Sequence, residues 1–227
     1  MKYKVDFELE LKENPYPGLY IALEGIDGSG KTTQVENLEK ELARKKIKVW
    51  STKNPTSHPI GKFIRRVLSG KVKIPPQSIQ YLFNADRVVQ QEEILSKLKS
   101  GYVVISDRYF WSSVAYGTAD IKTDYENLIN LSLTSFSLLS MYHEFIVPDV
   151  TFLLDVSIEE ADKRLSQSHK HKEIYDNREM NIKVKKGYDW LVKKFPRQFT
   201  VIDGNHHIDK VTKEIISKIK LLKTSHT

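Results

Sequence analysis

The sequence predicts an α/β fold of three layers, a parallel sheet of about five strands with helices on both faces. Two observations carry this. Five short segments along the chain read as strands, at Leu19–Leu23, Lys48–Thr52, Tyr102–Ser106, Val150–Leu154 and Phe199–Ile202. Between them lie segments of ten or more residues whose apolar positions return at helical spacing, long enough for right-handed crossovers.

Taken in order, residues 1–17 stand ahead of this pattern. Val5, Phe7, Leu9 and Leu11 alternate with Asp6, Glu8, Glu10 and Lys12, the period of a strand. Asn14-Pro15-Tyr16-Pro17-Gly18 then breaks the chain. An N-terminal extension, an edge strand or an arm, is therefore expected before a main domain at 18–227. In that domain Thr32–Lys45 reads as a helix with Val35, Leu38 and Leu42 on one face. Pro59–Leu68 reads as a second, with Ile60, Phe63, Ile64 and Val67 inward, and Pro76–Leu98 as a long third closed by Ser100-Gly101. Further helices are expected at Leu128–Tyr142, Ile158–Leu165 and Lys210–Leu222. The charged stretch Gln167–Asn181 interrupts the pattern and reads as a surface loop or a closing lid.

Composition narrows the class. At 227 residues, with 40% hydrophobic and 29% charged residues, the chain suits one soluble domain. The absence of cysteine excludes disulfides and thiolate metal sites. No charged-then-apolar leader and no membrane-length apolar run is present, so a cytoplasmic protein without a membrane partner is expected. The net charge of +7 suits nucleic acid, a membrane surface or small anionic ligands. Its lysines and arginines are scattered, as at Lys45-Lys46, Arg65-Arg66 and Lys193-Lys194, with no stripe of interleaved aromatics, which argues against nucleic acid.

The most specific signal is Gly25-Ile26-Asp27-Gly28-Ser29-Gly30-Lys31-Thr32, followed by Thr33. It matches G-x-x-x-x-G-K-[ST] at every fixed position, between a buried strand and an amphipathic helix. Such a loop wraps phosphates with backbone N–H groups. Lys31 adds a cation for the β- and γ-phosphates, and the Thr32 hydroxyl is placed to hold Mg²⁺. A P-loop NTPase fold binding ATP follows. No DxxG or NKxD appears beyond the loop, which argues against a GTPase.

Three other segments bear on the acceptor. In Leu82-Phe83-Asn84-Ala85-Asp86-Arg87, Phe83 and Arg87 lie one helical turn apart, so a flat base can stack on Phe83 while Arg87 meets its polar edge. Asp107-Arg108 ends the third strand, where open α/β sheets bind ligands. Asp107 can order Mg²⁺ or its waters, and Arg108 can take an acceptor phosphate bidentately. The third is Pro148-Asp149-Val150-Thr151-Phe152-Leu153-Leu154-Asp155. With Leu23 to Gln34 and Asp107 to Tyr116, these segments resemble the thymidylate kinase family from about residue 18 to the C-terminus.

The resemblance implies transfer of the γ-phosphoryl of ATP to thymidine 5′-monophosphate, with Mg²⁺, in a homodimer packed through helices. It implies a thymine on Phe83, Tyr116 as a second aromatic against the nucleoside, and Ser112 and Ser113 near the base. Asp27 falls where the family meets the 3′-hydroxyl, and Lys53 where it often has an arginine touching the acceptor phosphate. The lid resembles the family's through Glu173, Tyr175 and Asp176. In this family an arginine for the transferring phosphoryl comes from the P-loop or the lid. Here Gly28 occupies the first position and Ile174 the second. That leaves Arg178, chosen here, with Lys170, Lys172 or Arg164 as alternatives; Arg164 is also expected at ATP. Asn54 and Gly117 are further departures, from an acidic residue and a glutamine respectively. Left open are another acceptor, such as deoxyuridylate or a nucleoside, a catalytically weak nucleotide-binding paralogue with a regulatory role, and a nucleic-acid binder.

Overall fold

The computed structural model describes residues 8, 10–120, 137–168, 173–175 and 177–224. Its strands are β1 (Leu19–Glu24), β2 (Val49–Lys53), β3 (Val103–Asp107), β4 (Val150–Asp155) and β5 (Phe199–Asp203). They form one sheet in the order β2-β3-β1-β4-β5, with every neighbouring pair parallel. The helices are α1 (Lys31–Arg44), α2 (Pro59–Leu68), α3 (Pro76–Lys99), α4 (Phe110–Asp120), α5 (Ile158–Ser166), α6 (Arg178–Lys194) and α7 (Ile208–Thr224). All five expected strands are present. The expected helix at Leu128–Tyr142 is described only at its end, where residues 137–139 are helical and Ser140–Tyr142 form a 3₁₀ turn; 128–136 lie outside the described residues.

β1 shows why both sheet faces are covered. Tyr20 and Ala22 point to one side, into a core with Ile64 of α2, Leu98 of α3, Val114 of α4 and Leu191 of α6. Ile21 and Leu23 point to the other, against Val35, Leu38 and Leu42 of α1 and Val211, Ile215 and Ile219 of α7. Each such leucine or valine, fully buried, contributes about 1.5–3 kcal/mol. No helix of the described residues is long and apolar enough to cross a membrane.

Register decides what meets at the sheet's C-terminal edge. Leu23 of β1 lies beside Asp107 of β3, and Asp107 beside Lys53 of β2. The strand order turns at β1, so a crevice opens there, in front of the loop that follows. At the opposite edge the N-terminal extension is tied down. Asn14 Nδ2 donates to Gly18 O and to Asp149 Oδ2, both at 2.8 Å, and Tyr20 N donates to the same carboxylate at 2.6 Å. Lys12 forms a single parallel bridge with Ile146, outside the five-stranded sheet. The alternating run from Val5 to Leu9 falls almost wholly outside the described residues.

Two helices were not foreseen as such. α4 is buried on every side from Phe110 to Ala119, so it has no wet face to give a period. α6 begins inside the stretch read as the lid: Asn177 caps it, its side chain accepting from Met180 N at 2.9 Å. Residues 178–181 are therefore helix, and Gln167 closes α5, so the interrupting segment is shorter than 167–181.

Candidate active site

The loop from Gly25 to Gly30 leaves β1 and enters α1 at Lys31. Gly28 has φ 83°, and a Cβ there would lie 2.6 Å from Ala161 O of α5. The position where the family can place an arginine is thus closed to any side chain in this chain. Lys31 Nζ lies over the loop, donating to Gly25 O at 3.1 Å and Ile26 O at 2.8 Å. Burial, and then the Arg108 guanidinium, push the Lys31 ammonium down to about 8, against the pull of Asp27, Asp107 and Glu24.

Thr32 Oγ1 donates to Asp107 Oδ2 at 2.6 Å. These two oxygens come from different elements, brought together by the β1–β3 register. They fit Mg²⁺, which takes hard oxygen donors, usually one or two from protein and the rest from water and phosphates. Among the described residues no group of three or more His, Cys, Asp or Glu side chains could hold a metal ion.

Arg108 is the hub. Its backbone adopts φ 71°, which costs free energy in a residue with a side chain and recurs at functional sites. Nη1 donates to Gly25 O at 3.0 Å and Ser112 Oγ at 3.1 Å. Nη2 donates to Asp27 and, at 2.9 Å, to Tyr116 OH, and the guanidinium carbon lies 4.8 Å from the Tyr116 ring centre. Tyr116 OH donates in turn to Asp27 Oδ2 at 2.8 Å. Burial pushes the Asp27 carboxyl up, but Arg108, Lys31 and the Tyr116 hydrogen bond outweigh it and hold it below the usual carboxylate range.

Behind Arg108 lies Glu24, fully buried at the end of β1. It accepts from Tyr109 N at 2.8 Å, Ser112 Oγ at 2.5 Å and Tyr188 OH at 2.7 Å. Burial and Glu24 push the Tyr188 phenol well up, so it stays a donor. Glu24 thereby joins β1, α4 and α6 behind the site. The sequence signal for it was a carboxylate ending a buried strand; nothing in the sequence pointed to Tyr188.

On α3, Arg87 is buried, its Nη1 donating to Ser113 Oγ at 2.7 Å and its Nη2 to Tyr109 O at 2.8 Å. Its guanidinium carbon lies 5.4 Å from the Phe83 ring centre. Tyr175 is buried with its ring 5.7 Å from that of Tyr116. Ile174 N donates to Leu68 O at 2.9 Å, so this part of the lid segment rests on the end of α2 while the Ile174 side chain is 48% exposed.

One cavity of about 890 Å³ takes in most of the expected residues: Asp27, Gly28, Ser29, Gly30, Lys31, Thr32 and Thr33 at one end, Lys53, Phe83, Arg87, Ser113 and Tyr116 at the other. Asp107, Arg108, Ser112, Arg164 and Tyr175 line it too. Gly25 and Ile26 do not line it and contribute the carbonyls that hold Lys31. Arg164 reaches it from α5, its Nε 2.8 Å from Glu160 Oε1 and its Nη2 2.9 Å from Gly204 O.

Arg178, the cation expected from the lid, does not line the cavity. Asp162 at 2.6 Å and Glu159 at 2.7 Å, one turn apart on α5, hold its guanidinium at the half-exposed surface. Lys170, Lys172 and Asp176 lie outside the described residues.

The thymidylate kinase family profile matches residues 23–215. A probable thymidylate kinase of Thermococcus kodakarensis is 36% identical over 214 residues, covering 90% of this chain and 98% of that protein. A thymidylate kinase of Mesoplasma florum is 34% identical over 216 residues, covering 90% and 98%. The solved thymidylate kinase of Candida albicans superposes with a TM-score of 0.75 at 28% identity, covering 91% of this chain and 92% of that one. The strand order, the phosphate loop and this likeness along nearly the whole length agree: the chain belongs to the thymidylate kinase family.

Proposed function

We propose that this protein transfers the γ-phosphoryl group of ATP to thymidine 5′-monophosphate. The observation that carries the reading is the continuity of the cavity. A phosphate loop lines one end, an aromatic ring beside a buried arginine lines the other, and Arg108 with Asp27 stands between.

The donor triphosphate lies on the Gly25–Thr32 loop, where Lys31 exchanges its contacts with loop carbonyls for phosphate oxygens. Arg164 holds the donor from α5. Thr32 and Asp107 would hold Mg²⁺, which would neutralise charge on the phosphates. The acceptor base lies on Phe83, with Arg87, Ser113 and Tyr116 around it. Its phosphate meets Arg108 and Lys53, and Asp27 takes the 3′-hydroxyl. Tyr175 and the lid segment close over Tyr116 and exclude water. The acceptor phosphate is already an anion, so no general base is required. Positioning and charge neutralisation supply the rate.

The functional unit is one kinase domain, 18–227, preceded by its extension, in a homodimer packed through α3. That helix exposes Tyr81, Val88 and Val89, at 69%, 53% and 41%. The reading carries a cytoplasmic location with it. The Candida albicans enzyme is described as having broad substrate specificity, so the test spans several acceptors. ADP release is followed with ATP and thymidylate, deoxyuridylate, deoxycytidylate or thymidine. Turnover fastest with thymidylate supports the reading. Tight ATP binding without turnover on any of them overturns it.

A further inference from the structure

We propose that Gln80 reads the polar edge of the acceptor's pyrimidine, a role that rests on the acceptor site just described. Gln80 precedes Phe83 by three residues and Arg87 by seven on α3, so the three share a face. All three line the cavity.

Gln80 is 4% exposed, yet neither its Nε2 nor its Oε1 has a hydrogen-bond partner. A carboxamide serving only to pack would be better replaced by leucine or methionine, because burying both of its polar atoms unpaired costs free energy. Room has been made for it. Gly117 of α4 faces it, and a Cβ there would lie 3.1 Å from Gln80 Cδ and 2.7 Å from Leu138 Cδ1.

The chemistry of the neighbours says what this amide meets. Thymine and uracil present a 4-carbonyl beside an N3–H, an acceptor next to a donor. Arg87 has only donors, so it can serve the carbonyl and not the N3–H. Ser113 Oγ already accepts from Arg87. Asn84 Oδ1 and Asn54 Oδ1 are also unpartnered, but Asn84 does not line the cavity, and Asn54 lines it beside Lys53, at the end assigned to the acceptor phosphate. Gln80 Oε1, unpartnered and on the helix face that carries Phe83 and Arg87, is the acceptor placed for N3–H, with Nε2 available to a base carbonyl. Cytosine offers an amino group at position 4, which would face the Arg87 donors. Arg87 and Gln80 together therefore select a 4-oxo pyrimidine.

The test compares wild type with Gln80→Leu and Gln80→Met, which keep the bulk and remove the amide. Steady-state kinetics with thymidylate, deoxyuridylate and deoxycytidylate are measured beside thermal midpoints. In both variants KM for thymidylate is expected to rise about tenfold or more, with KM for ATP unchanged. The preference for thymidylate over deoxycytidylate shrinks, and the midpoint holds or rises because a buried unpaired amide is gone. An unaltered thymidylate KM in a folded variant overturns the role of Gln80 alone. So does a lowered midpoint with both KM values raised together, which marks a packing residue. A wild type inactive on every pyrimidine monophosphate overturns the acceptor reading, and this role with it.

Discussion

Lys31 and Arg108 sit in one buried cluster with Asp27, and each alters the proton affinity of the others. The consequence for pH has a definite sign. Lys31 is depressed to about 8, so its ammonium is present below that pH and is lost as pH rises through it. A neutral amine attracts a triphosphate less. The ratio kcat/KM for ATP, which reports the free enzyme, is therefore expected to hold steady up to about pH 8 and fall above it. Lys31→Ala is expected to lower kcat at least about a hundredfold and to abolish that inflection. Near-normal turnover in this variant, measured by coupled ADP release, would remove Lys31 from the mechanism. The phosphate loop was legible because its glycines, lysine and threonine are adjacent in sequence. Glu24, Tyr188 and Gln80 were not, since each gains its meaning from residues on other elements.

Among the elements, helices were readable where one face is wet. α1 and α2 carry an apolar stripe, and their limits were found within a residue or so. α4 has no such stripe: from Phe110 to Ala119 every side chain is buried, and Gly117 interrupts it. It was read only as a motif. The choice between Arg164 and Arg178 was illegible for a related reason. Both follow charged stretches, and only packing reveals that Glu159 and Asp162 of α5 hold Arg178 at the surface while Arg164 turns toward the loop. Arg164→Ala is expected to raise KM for ATP about tenfold and leave KM for thymidylate in place, as loss of a charge-assisted contact would. Arg178→Ala is expected to change neither by more than about threefold, since exposed ion pairs contribute little. The reverse pattern in initial-rate measurements would return the lid arginine to the site.

For the molecule as a whole, the alternation of strands and helices disclosed the layers but not the order β2-β3-β1-β4-β5. That order depends on which crossover passes which face, and no local sequence signal encodes it. The parallel strands do put the ends carrying Lys53, Asp107 and the phosphate loop on one edge, but nothing local reveals that Asn14 and Asp149 tie down the other. The exposed Tyr81, Val88 and Val89 on α3 are a surface that association would cover. Tyr81→Glu with Val88→Glu is expected to halve the mass seen in sedimentation, with the fold retained by circular dichroism. An unchanged mass would place any dimer contact elsewhere.

The outward Ile174, pinned through its backbone to Leu68, has a practical use in a chain with no native thiol. Ile174→Cys creates a unique attachment point for a fluorophore, so lid position can be followed optically during turnover without background labelling.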